Sequence, residues 1–436
     1  MNEVKVGVIG FGTVGAGVVR LLLENAPLIE RRLGFPLKLE KVADLDISSD
    51  RGVKVPPSLL TTDADEILES PDIGLVVELI GGLEPARTFT LRALEKGKGV
   101  VTANKALLAH HWREICGAAQ QGKGQIGFEA SVGGGIPVIR ALREGLAANR
   151  IESVHGIING TSNYILSRMS EEGLEFDAIL RQAQEKGYAE ADPTLDIGGG
   201  DAAHKLAVLA SIAFDTCVPL EKIHTEGISQ ISLIDIEIAR ELGYAVKLLA
   251  VAKASGERVE ARVHPTLIPQ SHLLADVGDV FNAIYLRGDA VGPTLFYGLG
   301  AGRMPTASAV VGDLMEMARG MRAGGTPSPL VINLEEEREI VPMDEVECPC
   351  YIRFMSPDQP GILAAVSGIL ARHDISIASV IQRGRKAGRA VPIVMMTHSA
   401  KEASVRKALD EIGRQKIVTA PPVCIRVEES GKEAAE

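Results

Sequence analysis

The chain has 436 residues, 46% of them hydrophobic and 24% charged, with a formal net charge of −11. That length suits about three domains, and the mix is that of a globular protein with a sizeable core. An excess of acid and an aromatic content of only 4% argue against a nucleic-acid partner, which calls for surplus Lys and Arg and for stacking rings.

No membrane segment is expected. The apolar run from Ile9 to Leu23 is broken by glycines and too short to span, and no signal peptide precedes it. Five scattered cysteines (Cys116, Cys217, Cys348, Cys350, Cys424) read as reduced thiols, so a cytoplasmic location is expected. Cys348-Pro349-Cys350 is the one close pair, and neither a second pair nor a histidine cluster completes a zinc site along the chain.

Val4–Ile9 is a β-branched run that reads as a buried parallel strand. It leads into GFGTVG, residues 10–15, and Val14–Leu23 then reads as a helix. A glycine fingerprint between strand and helix is a dinucleotide signal. Gly10 permits the tight turn, Gly12 lets backbone approach a pyrophosphate, and Gly15 lets helix pack on strand. The helix N-terminus offers amide donors to the phosphates. A second strand, Leu39–Ala43, ends at Asp44, where an acid takes the ribose hydroxyls of NAD; the other reading of Asp44 is a helix or turn cap. Arg51 and Lys54 follow and leave a 2′-phosphate open. Further strands are read at Ile73–Ile80, Gly99–Ala103 and Gln125–Phe128. Their carboxyl ends are where such sheets bind ligands. Lys105 stands at one of these ends, either meeting the ligand or simply opening a helix.

The middle of the chain reads as strands at Ile151–Ile158 and Val259–Val263, with helices at Ser162–Met169 and Ala202–Ile212. Its most informative stretch is GYAEADPTLDIGGGDAAHKL, residues 187–206. Glu190, Asp192, Asp196 and Asp201, with Glu185 just upstream, crowd around Gly198-Gly199-Gly200. Three glycines mark a turn where backbone passes close to something. Asp201 and Lys205 follow at i and i+4, so they share a helical face. A carboxylate and an ammonium there, beside Glu190, can bind a zwitterion and move a proton. The plain alternative is a solvated surface ion pair of little consequence.

After Thr306–Met317, read as a helix returning to the first domain, composition shifts to a Gly/Pro-rich linker at 323–329 and an acidic run, Glu335-Glu336-Glu337. From Cys350 the pattern is β-α-β-β-α-β. Strands fall at Tyr351–Phe354, Ile375–Ile381, Val391–Thr397 and Val423–Val427, and helices at Ile362–Arg372 and Ala403–Ile412.

Taken in order, GFGTVG, TANKALLA, EASVGGGIPVIR, NGTSNYIL, AEADPTLDIGGGDAAHKL and YGLGAGRMPTASAVVGDL resemble homoserine dehydrogenase of the single-activity type, with a C-terminal ACT domain carried by DQPG, ILAAVSGIL and DISIASV. The resemblance implies an α/β fold: a Rossmann-type doubly wound parallel sheet, an α+β substrate and dimerisation domain, and a βαββαβ ACT domain. The implied bounds are 1–131 (with return helix 305–322), 132–304, a linker at 323–348, and 349–430. It implies reversible reduction of L-aspartate 4-semialdehyde to L-homoserine with NAD or NADP.

By the same resemblance, Lys205 gives the proton, Asp201 orients substrate and lysine, and Glu190 holds the substrate amino group, with Asp196 in support. Lys105 serves as a second lysine near the nicotinamide. Gly10, Phe11, Gly12, Thr13, Val14, Gly15, Asp44, Lys105, Gly187 and Gly302 line the cofactor. Glu129, Val132, Gly134 and Ile136 form a monovalent cation site, sodium, although EASVGGGIP also reads as a mere tight connection. The family is mixed in cofactor choice; some members carry a basic residue at the end of the second strand to meet NADPH, and Ala43 before Asp44 stands there here, which makes NAD plausible. The ACT module implies an amino-acid effector, L-threonine first, and a homodimer or homotetramer. Ser376 stands where the family often carries asparagine, so a purely structural ACT module is the other reading. Two other functions compete. One is a semialdehyde oxidoreductase working through a thioester, which needs an activated cysteine; Cys116 and Cys217 are the candidates. The other is a non-catalytic, cofactor-bound amino-acid sensor.

Overall fold

A computed structural model describes residues 3–122, 124–323, 337–382, 390–415 and 417–428. The Gly/Pro-rich run beyond Ala323 and Glu335-Glu336 lie outside the described residues. The chain forms two compact units.

The first unit comprises Met1–Ile158, Ala203–Ile223 and Phe281–Arg338. Its main sheet holds β1 (Val4–Ile9), β2 (Leu37–Ala43), β3 (Leu60–Thr61), β4 (Ile73–Glu78), β5 (Gly99–Thr102) and β6 (Gln125–Gly127). The order is β3-β2-β1-β4-β5-β6, parallel throughout. This is the doubly wound order, and its direction reverses between β1 and β4. The apolar runs are continuous because both faces are covered: Val6, Val8, Val42 and Val77 pack with Val18 and Leu22 of the Thr13–Glu24 helix. The Arg303–Arg322 helix joins this core through Ala307, Val310 and Leu314. A separate antiparallel set in the same unit places Phe281–Gly288 between β7 (Ile151–Ile157) and Gly292–Leu299.

The second unit comprises Asn159–Ala202, His224–Val280 and Glu339–Glu436. A long hairpin, Tyr244–Ser255 with Arg258–Pro269, begins its sheet. The sheet continues through Val423–Val427, Cys350–Pro357, Ala390–Thr397 and Ile377–Gln382. The last four strands, with the Ile362–Arg372 and Glu402–Arg414 helices, form the βαββαβ module read from the sequence. The joint between hairpin and module is parallel, Thr266 to Arg426 and Leu267 to Val427. Part of the stretch read as linker is itself paired, Glu339 and Ile340 lying beside Arg258 and Val259.

Charge is buried along that joint. Arg426, 5% exposed, donates to Glu226 (2.7 and 2.8 Å) and to Glu402 (3.0 Å). Glu428 accepts from Arg262 at 3.2 Å and also pairs with Lys253. Beside it, Asp235 on the Leu233–Glu241 helix takes both Arg353 (2.6 Å) and the Tyr351 hydroxyl (3.0 Å).

Candidate active site

At the carboxyl end of β1 the backbone turns at Gly10, φ 104°. A Cβ on Gly15 would sit 1.9 Å from the Gly10 carbonyl oxygen, so that close approach demands glycine. Gly12 differs: a Cβ there meets nothing within 4 Å. The Thr13–Glu24 helix starts at Gly12 with no side chain capping it. Open space before uncapped helix amides is the arrangement that accepts a pyrophosphate. Phe11 stands in this turn, and Thr13 and Val14 open the helix. Asp44, at the end of β2, accepts from the Phe11 amide (2.5 Å) and the Asp46 amide (2.9 Å). Its carboxylate therefore spans the mouths of the first two strands. Arg51 is paired with Asp46 at 2.9 Å.

Beside this cradle, Glu78 closes β4 with 1% exposure. It accepts from the Ile80 amide (2.9 Å) and the Thr102 hydroxyl (2.7 Å), and burial pushes its carboxyl up. Thr102 Oγ1 in turn accepts from the Asn104 amide (2.9 Å). The Asn104 side chain reaches Gly82 O (2.7 Å) and caps Leu107 N (3.0 Å). Lys105, the first residue of its helix, is half-buried beside this network. Gly302 precedes the Arg303–Arg322 helix with φ 125°.

Asp201 and Lys205 both lie on the Gly200–Ala213 helix, 6% and 9% exposed. Burial of both rules out the solvated surface pair. Lys205 Nζ donates to the Ile158 carbonyl at 2.6 Å. The next residue in the chain, Asn159, donates from Nδ2 to Asp196 (2.7 Å) and to Asp201 (2.8 Å). Its Oδ1 caps the Gly160–Glu172 helix through Ser162 N at 2.8 Å. Of the acids around the triple glycine, Asp196 and Asp201 are thus gathered by one amide. Asp192 caps Thr194 instead (3.1 Å), and Glu190 and Gly187 lie on the exposed loop before it.

The glycine turn approaches its own chain. A Cβ on Gly199, φ 83°, would meet Thr225 Cγ2 at 3.0 Å and Glu226 O at 3.1 Å.

The Glu129 carboxylate accepts from Ile139 N (2.9 Å) and Arg140 N (2.7 Å). It therefore caps a short helix, and what the turn offers a hard cation is backbone carbonyls, with Gly133 and Gly134 both at positive φ. Asp313 accepts from Glu129 N at 2.9 Å, and burial pushes its carboxyl up to about 7.

Sequence reasoning did not single out Asn159 or Glu78. Asn159 carried a signal, an N-cap asparagine ahead of a helix in NGTSN; Glu78 merely ended an apolar run. The thioester chemistry loses its leading nucleophile, because Cys116 is 2% exposed and burial pushes its thiol up to about 12.

Comparison with known proteins agrees with this geometry. Family models match described as Homoserine dehydrogenase (residues 137–315), Homoserine dehydrogenase, NAD binding domain (10–129) and ACT domain (351–416). The homoserine dehydrogenases of Neisseria gonorrhoeae and Pseudomonas aeruginosa are each 44% identical, over 98% of this chain and 99% and 100% of theirs. A homoserine dehydrogenase crystal structure from Thiobacillus denitrificans is 45% identical, covers 98% of this chain and 99% of its own, and superposes with a TM-score of 0.92. A hyperthermophilic archaeal homoserine dehydrogenase solved in complex with NADPH is 26% identical over 72% of this chain, with a TM-score of 0.62. The chain belongs to the homoserine dehydrogenase family, NAD(P)-dependent oxidoreductases that interconvert L-homoserine and L-aspartate 4-semialdehyde, here with a C-terminal ACT domain.

Proposed function

We propose that Lys205 is the proton-transfer group and that Asp201 orients it and the substrate. The observation that carries this reading is their shared burial on one helix, with Lys205 Nζ held by a carbonyl 2.6 Å away. In oxidation, neutral Lys205 takes the hydroxyl proton while hydride leaves the same carbon; in reduction, its ammonium returns the proton to the developing alkoxide. The bound nicotinamide supplies or accepts the hydride. Lys105 steadies the reacting oxygen from the cofactor side. Glu190 holds the substrate ammonium, and Asp196 with Asn159 fixes Asp201. Lys205→Ala tests this: cofactor binding is retained and turnover falls roughly 10²–10⁴-fold. Turnover near wild type overturns the assignment.

Gly10 to Gly15, Gly187 and Gly302 are the cofactor residues of this reading. Asp44 favours free ribose hydroxyls, so NAD serves at least as well as NADP; the NADPH bound by the archaeal relative keeps NADP as the second reading. Carbonyls of Glu129, Val132, Gly134 and Ile136 hold a sodium ion. L-threonine acts at the ACT module, and the enzyme works as a cytoplasmic homodimer or homotetramer. The domain bounds read from the sequence, 1–131, 132–304 and 349–430, are kept as this reading's functional divisions.

A further inference from the structure

We propose that Cys348, Cys350 and Glu402 form a binding site for a thiophilic divalent cation of the zinc class. The Cys348 and Cys350 sulfurs and a Glu402 carboxylate oxygen all lie within 4.8 Å of one another. All three residues are buried, at 6%, 1% and 7% exposure. Arg426 accounts for one partner of the Glu402 carboxylate, and the same carboxylate beside two thiols is a donor set that suits a borderline-soft cation.

The local fold holds these donors together through the backbone. Cys348 pairs with Ala400 across a short antiparallel ladder, and Glu402 N donates to Val346 O at 2.9 Å. The Cys350 amide is fixed by Thr397 Oγ1 at 3.0 Å. Along the chain Cys348-Pro349-Cys350 lacked further ligands; folding brings Glu402 to it from the start of the Glu402–Arg414 helix. Cys424 lies across from Ile352 on the neighbouring Val423–Val427 strand.

Arg426 donates to Glu402 at 3.0 Å from Nε and again from Nη2. A carboxylate ligand fixed by an outer partner is the usual arrangement around bound metals. Two thiolates and one carboxylate outweigh the single guanidinium of Arg426, which Glu226 shares, so the set carries net negative charge for a divalent cation. Binding displaces the thiol protons to solvent. The bound ion would tie the strand entering the ACT module to that module's second helix and, through Arg426, to its last strand.

The test uses the full-length enzyme, purified without chelator. Elemental analysis should find one zinc equivalent per chain. After exchange into Co²⁺, a thiolate-to-cobalt charge-transfer band should appear in the near ultraviolet. Cys348→Ser and Cys350→Ser should each abolish the band and the bound metal. Glu402→Gln should weaken Co²⁺ binding about tenfold or more. Homoserine-dependent nicotinamide reduction, measured in parallel, reports whether each variant is folded. If both serine variants fail to fold, the wild-type spectrum and Glu402→Gln still decide. A metal-free wild type that shows no band with Co²⁺ overturns the proposal. So does a band that survives both serine substitutions.

Discussion

At the scale of single residues, the least expected finding is how much rests on one amide. Asn159 donates to both Asp196 and Asp201 while its oxygen caps a helix. Asn159→Ala therefore leaves buried acceptors unsatisfied, at about 1–3 kcal/mol of stability, and frees Asp201 to turn. A lower thermal midpoint together with a fall in kcat is expected; unchanged kcat with lowered stability would make Asn159 only a cap. Asp44 invites a second measurement. Its carboxylate sits on the Phe11 amide, where a 2′-phosphate would meet negative charge. Specificity constants for NAD and NADP are expected to favour NAD or be equal in the wild type, and to move toward NADP in Asp44→Ala. A strong wild-type preference for NADP that the substitution leaves untouched removes Asp44 from the argument. Asp313 carries a pH dependence. With its carboxyl raised to about 7 by burial, the folded state binds a proton that the unfolded state releases near the ordinary carboxyl value. Between about pH 4 and 7 this group makes stability fall as pH rises. Asp313→Asn can still accept from Glu129 N and should flatten that slope in unfolding experiments across the window.

At the scale of elements, much was legible because it depends on neighbours along the chain. Alternating or continuous apolar runs place Val4–Ile9, Val423–Val427 and the Ile362–Arg372 helix at the bounds read from the sequence. The Gly10-to-Gly15 spacing likewise announces its turn. What the triple glycine is for was not legible. The sequence marks a close approach, and only the fold shows that Gly199 comes up against Thr225 and Glu226. Gly199→Ala should accordingly cost about 1–3 kcal/mol through its left-handed backbone and the tight Cβ. A drop in thermal midpoint is expected. An unchanged midpoint would mean that the Thr225–Gly227 segment yields freely.

At the scale of the whole molecule, the ACT module shares a sheet with the Tyr244–Pro269 hairpin, through a parallel joint carrying Arg426 and Glu428. Cutting the chain after Pro342 would strip Arg258–Pro269 of the Val423–Val427 strand and take Arg426 from Glu226 and Glu428 from Arg262, leaving them only His224 and Glu260. Removing one side of a buried ion pair costs roughly 3–5 kcal/mol. The shortened form is expected to be markedly less stable, and threonine regulation is better read in the full chain. There, threonine should inhibit without raising the KM for homoserine in proportion. Inhibition purely competitive with homoserine places threonine at the substrate site. No inhibition favours the structural reading that Ser376 leaves open.

The sequence by itself announced most strands of the first sheet, the ACT pattern and the glycine cradle, since propensity, periodicity and spacing act over a few residues, and its motifs carried the family resemblance; the Tyr244–Ser255, Phe281–Gly288 and Gly292–Leu299 strands were not read. Tertiary structure alone decided which groups meet. It set Asp196 and Asp201 on Asn159, turned the Glu129 carboxylate onto helix amides, and brought Glu402 to Cys348 and Cys350. It also joined the ACT strands to the Arg258–Pro269 strand. Those encounters are between residues distant along the chain, and they follow from how strands and helices bury their faces together, which no local pattern records.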